Sequence, residues 1–219
     1  MTQDHPTSRD LPLVPSQTAL LFIDVQKFSA DPQGGEYEGM DPAHFEERYG
    51  WFFRHFSSET LPNMQRLQSA FRRHGIEVMY TVIESLTRDG RDRSLDYKIT
   101  GFNVPRGSRD AEVIDALAPD GDEIVIPKTS SSVFISTNID YVLRNLGVRQ
   151  LVISGLLTDQ CVDSAVRDAC DLGYLVTVVT DACATHSSER HEGSLRLNRG
   201  YCRQITTDAL LAELDRNEL

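Results

Sequence analysis

Short apolar runs separated by mixed polar stretches recur along the whole chain. The first, "TALLFIDV" at 18–25, is apolar at nearly every position and ends around a carboxylate, Asp24. It is too short for a helix and too uniformly apolar for a strand with one wet face, so it predicts a strand buried on both sides. "IEVMYTVI", "DEIVIPK", "RQLVISG" and "YLVTVVTDA" repeat the pattern, and "CRQITT" is a weaker sixth run. Between them the apolar positions shift to helical spacing. Met64, Leu67, Ala70 and Phe71 mark one helix, with Thr60 as its N-cap, Pro62 in the first turn and Gly75 as its stop. "TNIDYVLRNLG" and "QCVDSAVRDACDLG" end on Gly147 and Gly173, and 189–200 and "DALLAELDR" read as two more helices. A short helix is expected at 110–117.

Two stretches read as irregular. One runs from strand one to about Phe56 and holds the aromatics Tyr49, Trp51, Phe52, Phe53 and Phe56; the other is "ESLTRDGRDRSLDYKITGFNVPRGSRD". Strands alternating with helices predict an α/β chain: a three-layer α/β/α sandwich around a central, mostly parallel six-stranded sheet. The alternation continues without a linker or repeat, so the expectation is a single domain over 16–219 after a loose tail at 1–15.

Composition narrows the function. Across 219 residues the net charge is −11, which argues against nucleic acid and anionic membranes, since both reward clustered Lys and Arg. No apolar run approaches the roughly 18–20 residues that span a bilayer, and the N-terminus lacks a basic-then-apolar signal. Cys161, Cys170, Cys183 and Cys202 form no C-x-x-C pair, so a structural zinc site is not expected and a cytoplasmic protein with reduced thiols is.

Ligands of open parallel sheets sit beyond the carboxyl ends of the strands. Asp24 closes strand one, Lys128 follows strand three, and Cys161 follows strand four where a helix opens. A helix N-terminus and a nearby ammonium both favour a thiolate, and an aspartate in reach can accept and return its proton. Singly, each residue has an ordinary reading as a cap, a solvated cation or a small apolar filler. Their convergence at one sheet edge is the functional signal.

Three blocks in order, "LLFIDVQ", "VIPKTSSSVF" and "SGLLTDQCVDSAVRDACDLGYLVTVVTDAC", resemble the isochorismatase-like cysteine hydrolases over about 18–214. The resemblance implies a catalytic triad of Asp24, Lys128 and Cys161, with the cysteine attacking a carboxamide carbonyl. It implies a cis peptide between Leu156 and Leu157, and an oxyanion hole made by the backbone N–H groups of Leu157 and Cys161. It also implies a homo-oligomer, a dimer or tetramer, with the segment before Phe56 and the aromatics near Trp51 as contact surface.

Departures within the family separate its branches. Nicotinamidase-like members carry an Asp/His metal site after strand two. "TVIESLTRDGRD" has no histidine there, so no metal and no cofactor is expected, and His74, His186 and His191 are read as surface or packing residues. Ether-cleaving isochorismatases lack the nucleophilic cysteine, and Cys161 argues against that activity. What remains is a hydrolase cleaving a C–N bond of a small carboxamide, ureido or N-carbamoyl compound through a thioester. The alternatives are the ether hydrolase and an inactive binding or redox member. Phe28, Trp51, Arg88, Arg91 and Phe134 are candidates for the substrate pocket. Arg88, Arg91 and Arg93 are suited to hold a substrate carboxylate, or else pair with the aspartates of their own loop.

Overall fold

A computed structural model describes residues 8–216 of the protein. Its six strands are β1 (Thr18–Ile23), β2 (Glu77–Ile83), β3 (Ile124–Lys128), β4 (Gln150–Leu156), β5 (Leu175–Ala184) and β6 (Arg203–Ile205). They form one sheet in the order β3-β2-β1-β4-β5-β6, every neighbouring pair parallel.

The unbroken apolar runs are explained by helices on both faces. All six residues of β1 are buried, and successive side chains point to opposite sides. Leu20 and Phe22 enter a core shared with Phe52, Met64, Phe71 and Leu210. Ala19, Leu21 and Ile23 enter the other, with Val133, Leu143, Val162 and Val166. The Leu61–Arg73 and Thr207–Arg216 helices thus cover one face, and the Ile139–Asn145 and Asp163–Asp171 helices the other. This is the expected three-layer sandwich. Pro127, with no N–H to offer a ladder, is tolerated because β3 is an edge strand.

Several local expectations are corrected. The aromatic stretch before Phe56 is helical: Pro42–His55 starts at an Asp41 cap, whose carboxylate accepts from His44 N at 3.1 Å. It continues through a π-helical turn, Phe56–Thr60, into Leu61–Arg73. Thr60 is therefore no N-cap. Its backbone is helical and its buried hydroxyl has no hydrogen-bond partner among the described residues. Of the aromatics expected as contact surface, Tyr49, Phe52 and Phe56 are buried in the chain's own core. At 110–117 there are two short 3₁₀ turns, Arg109–Ala111 and Asp115–Leu117, not a helix. Lys128 is the last residue of β3 rather than the one after it.

Of the expected loose tail, 1–7 lies outside the described residues. Its far end is docked: Leu13 is buried and donates to Glu213 Oε1 at 2.9 Å, and Val14 N donates to Gln150 Oε1 at 2.6 Å. Among the described residues, no helix is long and apolar enough to cross a membrane.

Strand order reverses between β1 and β4, and in such sheets the crevice opens outside the carboxyl ends at that point. Asp24 leaves β1 there, Leu157 leaves β4 beside it, and Lys128 ends β3 two strands away.

Candidate active site

Asp24 has φ +52°, the one non-glycine residue with a positive φ among those described. Side chains rarely adopt this left-handed region, and where they do, surrounding contacts enforce it. Here the backbone N of Asp24 donates to Thr81 O at 3.1 Å, and Thr81 Oγ1 donates to Asp24 Oδ1 at 2.7 Å. The turn aims the carboxylate across the sheet edge, where Oδ2 lies 2.8 Å from Lys128 Nζ.

Lys128 is on an inward position of β3 and fully buried. Its ammonium also reaches Ser130 O at 2.8 Å, Tyr97 OH at 3.1 Å and Cys161 Sγ at 3.4 Å. Cys161 lies in the π-helical turn Thr158–Val162, which leads into the Asp163–Asp171 helix. The Leu156–Leu157 peptide bond is cis. Asp24, Lys128 and Cys161 are thus drawn together through one ammonium, although 137 residues separate the first from the last in sequence (161 − 24).

Burial governs the resting charges. It pushes the Cys161 thiol up to about 12; Lys128 pulls it down, but the Asp24 carboxylate adds to the rise. Cys161 is 6% exposed and faces the Asp24 carboxylate, and both oppose the thiolate that Lys128 favours. Burial alone would lower Lys128, yet Asp24 and the other groups around it hold its ammonium well above the ordinary lysine range. The Tyr97 phenol is held above its ordinary range, first by burial.

A cavity of about 660 Å³ opens over the sulfur, a volume suited to a small molecule. Leu157, Gln160, Cys161, Tyr97, Glu36, Arg48 and His186 are among the residues that line it. A narrow inner branch of about 20 Å³ reaches Asp24 and Phe28. Burial raises Glu36 to about 7 despite the pull of the Arg48 guanidinium. Burial lowers His186 to about 4, helped by Arg190, so its imidazole is neutral.

Of the five pocket candidates, the structure brings only Phe28 to the cavity wall, packed edge-on against Phe102 at 5.4 Å. Trp51 instead stacks on His55, at 4.9 Å, along its own helix. Phe134 packs toward Tyr174, with ring centroids 6.1 Å apart. Arg88 is exposed outside the cavity, and Arg91 pairs with Asp89 at 2.9 Å. Arg93 ties its loop together by donating to Gly90 O at 2.8 Å and to Phe102 O. Arg91 and Arg93 are thus engaged within their own loop.

Tyr97, Glu36, Arg48 and His186 were not legible in the sequence as wall residues. Tyr97 had one available clue, Ser94, which caps the Leu95–Thr100 helix by accepting from Tyr97 N at 3.3 Å. Among the described residues, no group of three or more His, Cys, Asp and Glu side chains is placed to hold a metal ion.

Known proteins resemble this chain in sequence and in fold. The Isochorismatase domain model matches residues 18–209. A ureidoacrylate amidohydrolase (RutB) of Rhizobium rhizogenes is 30% identical over 188 residues, covering 78% of this chain and 71% of that protein. The fold is similar to that of a cysteine hydrolase from Pseudomonas syringae pv. phaseolicola, with a TM-score of 0.79, 23% identity and 99% of each chain covered. It is also similar to N-carbamoylsarcosine amidase from Thermoplasma acidophilum, with a TM-score of 0.65, 26% identity, and 88% of this chain and 97% of that one covered. On the extent of the family match, the chain belongs to the isochorismatase-like hydrolases.

Proposed function

We propose that the protein is a cysteine-dependent amidohydrolase. It cleaves a C–N bond of a small carboxamide, ureido or N-carbamoyl compound, with Cys161 as nucleophile, Asp24 as proton carrier and Lys128 as the electrostatic link. The observation that carries the reading is the single buried ammonium of Lys128 at 2.8 Å from Asp24 and 3.4 Å from Cys161, at the floor of a substrate-sized cavity. The similarity to a ureidoacrylate amidohydrolase and to an N-carbamoylsarcosine amidase supports the C–N bond as target.

In the first half-reaction, Cys161 loses its proton to Asp24 as the sulfur attacks the substrate carbonyl. An S–C bond forms and the carbonyl π pair moves to oxygen. The Leu157 and Cys161 N–H groups receive that oxyanion; losing one such donor typically costs about 10²–10³ in rate. The electron pair then returns, the C–N bond breaks, and Asp24 gives its proton to the departing nitrogen, leaving a thioester and ammonia or an amine. In the second half, water gives a proton to Asp24 and attacks the thioester. The C–S bond breaks, the thiolate regains that proton, and a carboxylic or carbamic acid leaves. Because burial and the Asp24 carboxylate both raise the thiol, proton transfer accompanies attack rather than preceding it.

The test is ammonia release across a panel of amides, ureas and N-carbamoyl acids. Wild type should turn over at least one class, and Cys161→Ser should lose at least about 10³-fold in kcat on it. Turnover that survives Cys161→Ser would refute the nucleophile.

A further inference from the structure

Resting on that reading, we propose that Tyr97 is a fourth catalytic residue, whose hydroxyl donates a hydrogen bond to the Cys161 sulfur and stabilises it each time it carries negative charge. The Lys128 ammonium is donor-only and has three N–H groups. Four acceptors surround it: Asp24 Oδ2 at 2.8 Å, Ser130 O at 2.8 Å, Tyr97 OH at 3.1 Å and Cys161 Sγ at 3.4 Å. Ser130 O, Tyr97 OH and Cys161 Sγ lie in hydrogen-bond geometry and take the three protons, while Asp24 Oδ2, with no hydrogen-bond partner among the described residues, is held as an ion pair. Where Tyr97 accepts from Lys128, its own O–H must point elsewhere. The acceptor it meets among the described residues is Cys161 Sγ, at 3.7 Å.

The surroundings fix that direction. Ser94 N donates to Thr129 O at 2.9 Å, clipping the start of the Leu95–Thr100 helix to the exit of β3. Tyr97 is 2% exposed, its ring packs on Phe102 at 5.7 Å, and the Lys128 ammonium sits 5.7 Å from its centroid. Burial keeps the phenol protonated and therefore able to donate.

The role answers a difficulty of the site. Burial and Asp24 both oppose a thiolate, and Lys128 is already divided between its partners. A neutral second donor lowers the cost of the thiolate without adding charge. It acts twice in the cycle, when the thiol proton leaves during attack and when the thioester C–S bond breaks and the sulfur becomes a thiolate again. Hydrogen bonds to charged groups are stronger than neutral ones, so the 3.7 Å contact should tighten in both steps.

The test is the pH dependence of iodoacetamide alkylation at Cys161, read by peptide mass spectrometry, in wild type and Tyr97→Phe. The groups facing the sulfur are Lys128, Asp24 and Tyr97, and only the last is altered. The thiol titration should move up in Tyr97→Phe, alkylation at pH 8 should slow by about tenfold, and kcat should fall with KM little changed. Replacing Tyr97 with 3-fluorotyrosine, whose hydroxyl is a stronger donor, should move the titration the opposite way. That arm also decides the matter if the phenylalanine variant folds poorly. Titrations unchanged in both variants would overturn the role of Tyr97 and leave the amidohydrolase reading standing. Cys161→Ser turnover tests that reading separately.

Discussion

Each residue of the site is held by a partner that another position of the fold supplies. Asp24 keeps its left-handed backbone because Thr81, one strand over, grips both its N–H and its carboxylate. Lys128 is fully buried because Asp24 neutralises it. Removing one partner of such a pair strands the other charge, so Lys128→Met should destabilise the fold by about 3–5 kcal/mol in urea unfolding. Adding Asp24→Asn should recover part of that loss; no recovery would show that the pair is not coupled. Glu36 gives a prediction of opposite sign. Burial raises its carboxyl to about 7 from an ordinary 4.5, so the folded state binds more protons than the unfolded one between these values. Stability therefore falls as pH rises from 4.5 through 7. Glu36→Gln should stabilise the protein at pH 8 by on the order of 1–3 kcal/mol and give no gain below pH 4.5. Urea midpoints at the two pH values check this.

Among elements, the contact of β1 with β4 decides the site. Gly155 on β4 has φ +139°, and a Cβ there would stand 2.6 Å from Ile23 N, 2.8 Å from Ile23 Cα and closer still to Ile23 O. All three are backbone atoms of the residue just before Asp24, so the strand could not yield without moving the carboxylate. Gly155→Ala should cost about 1–3 kcal/mol or more and abolish turnover together; turnover at the wild-type level would separate the strand contact from the chemistry. The same scale shows what the sequence made legible. Strands buried on both faces announce themselves as continuous apolar runs, and the stops at Gly75, Gly147 and Gly173 follow from their positive φ. The Pro42–His55 helix carried a signal as well, Phe45, Tyr49 and Phe53 recurring every fourth residue, but that stripe is short and Gly50, a poor helix former, falls within it. Tyr37, Phe45, Tyr49 and Phe53 pack mutually, ring against ring. Asp24, Lys128 and Cys161 could be placed because each ends or follows a strand. Trp51, Arg88, Arg91 and Phe134 could not, because whether a loop or helix side chain faces a cavity depends on tertiary packing that one-dimensional spacing does not record.

Over the whole molecule, several buried acids carry protons that the unfolded chain would release in alkali. Cys161 and Cys183 are pushed by burial from 9.0 to about 12, and Cys202 to about 11. Between pH 9 and these values the unfolded chain binds fewer protons than the folded one, so stability falls as pH rises. The fall in urea midpoint from pH 8.5 to 10.5 should be shallower in Cys161→Ala than in wild type; an identical slope would show that this thiol is not held protonated by the fold. The chain's net charge is −11, and the cavity wall mixes signs: Arg48 and Arg190 stand with Glu36 and Asp96, and Arg190 is paired with Asp159 at 2.6 Å.

The central claim is that Cys161 forms a covalent bond to the substrate carbonyl carbon. The most direct measurement is acid-quenched mass spectrometry of the wild-type protein during turnover of a substrate found by ammonia release. The account predicts an adduct equal to the substrate minus its leaving amine, carried on the peptide that contains Cys161 and released by hydroxylamine. An adduct on another residue, or turnover in Cys161→Ser at the wild-type rate with no adduct at all, would contradict it.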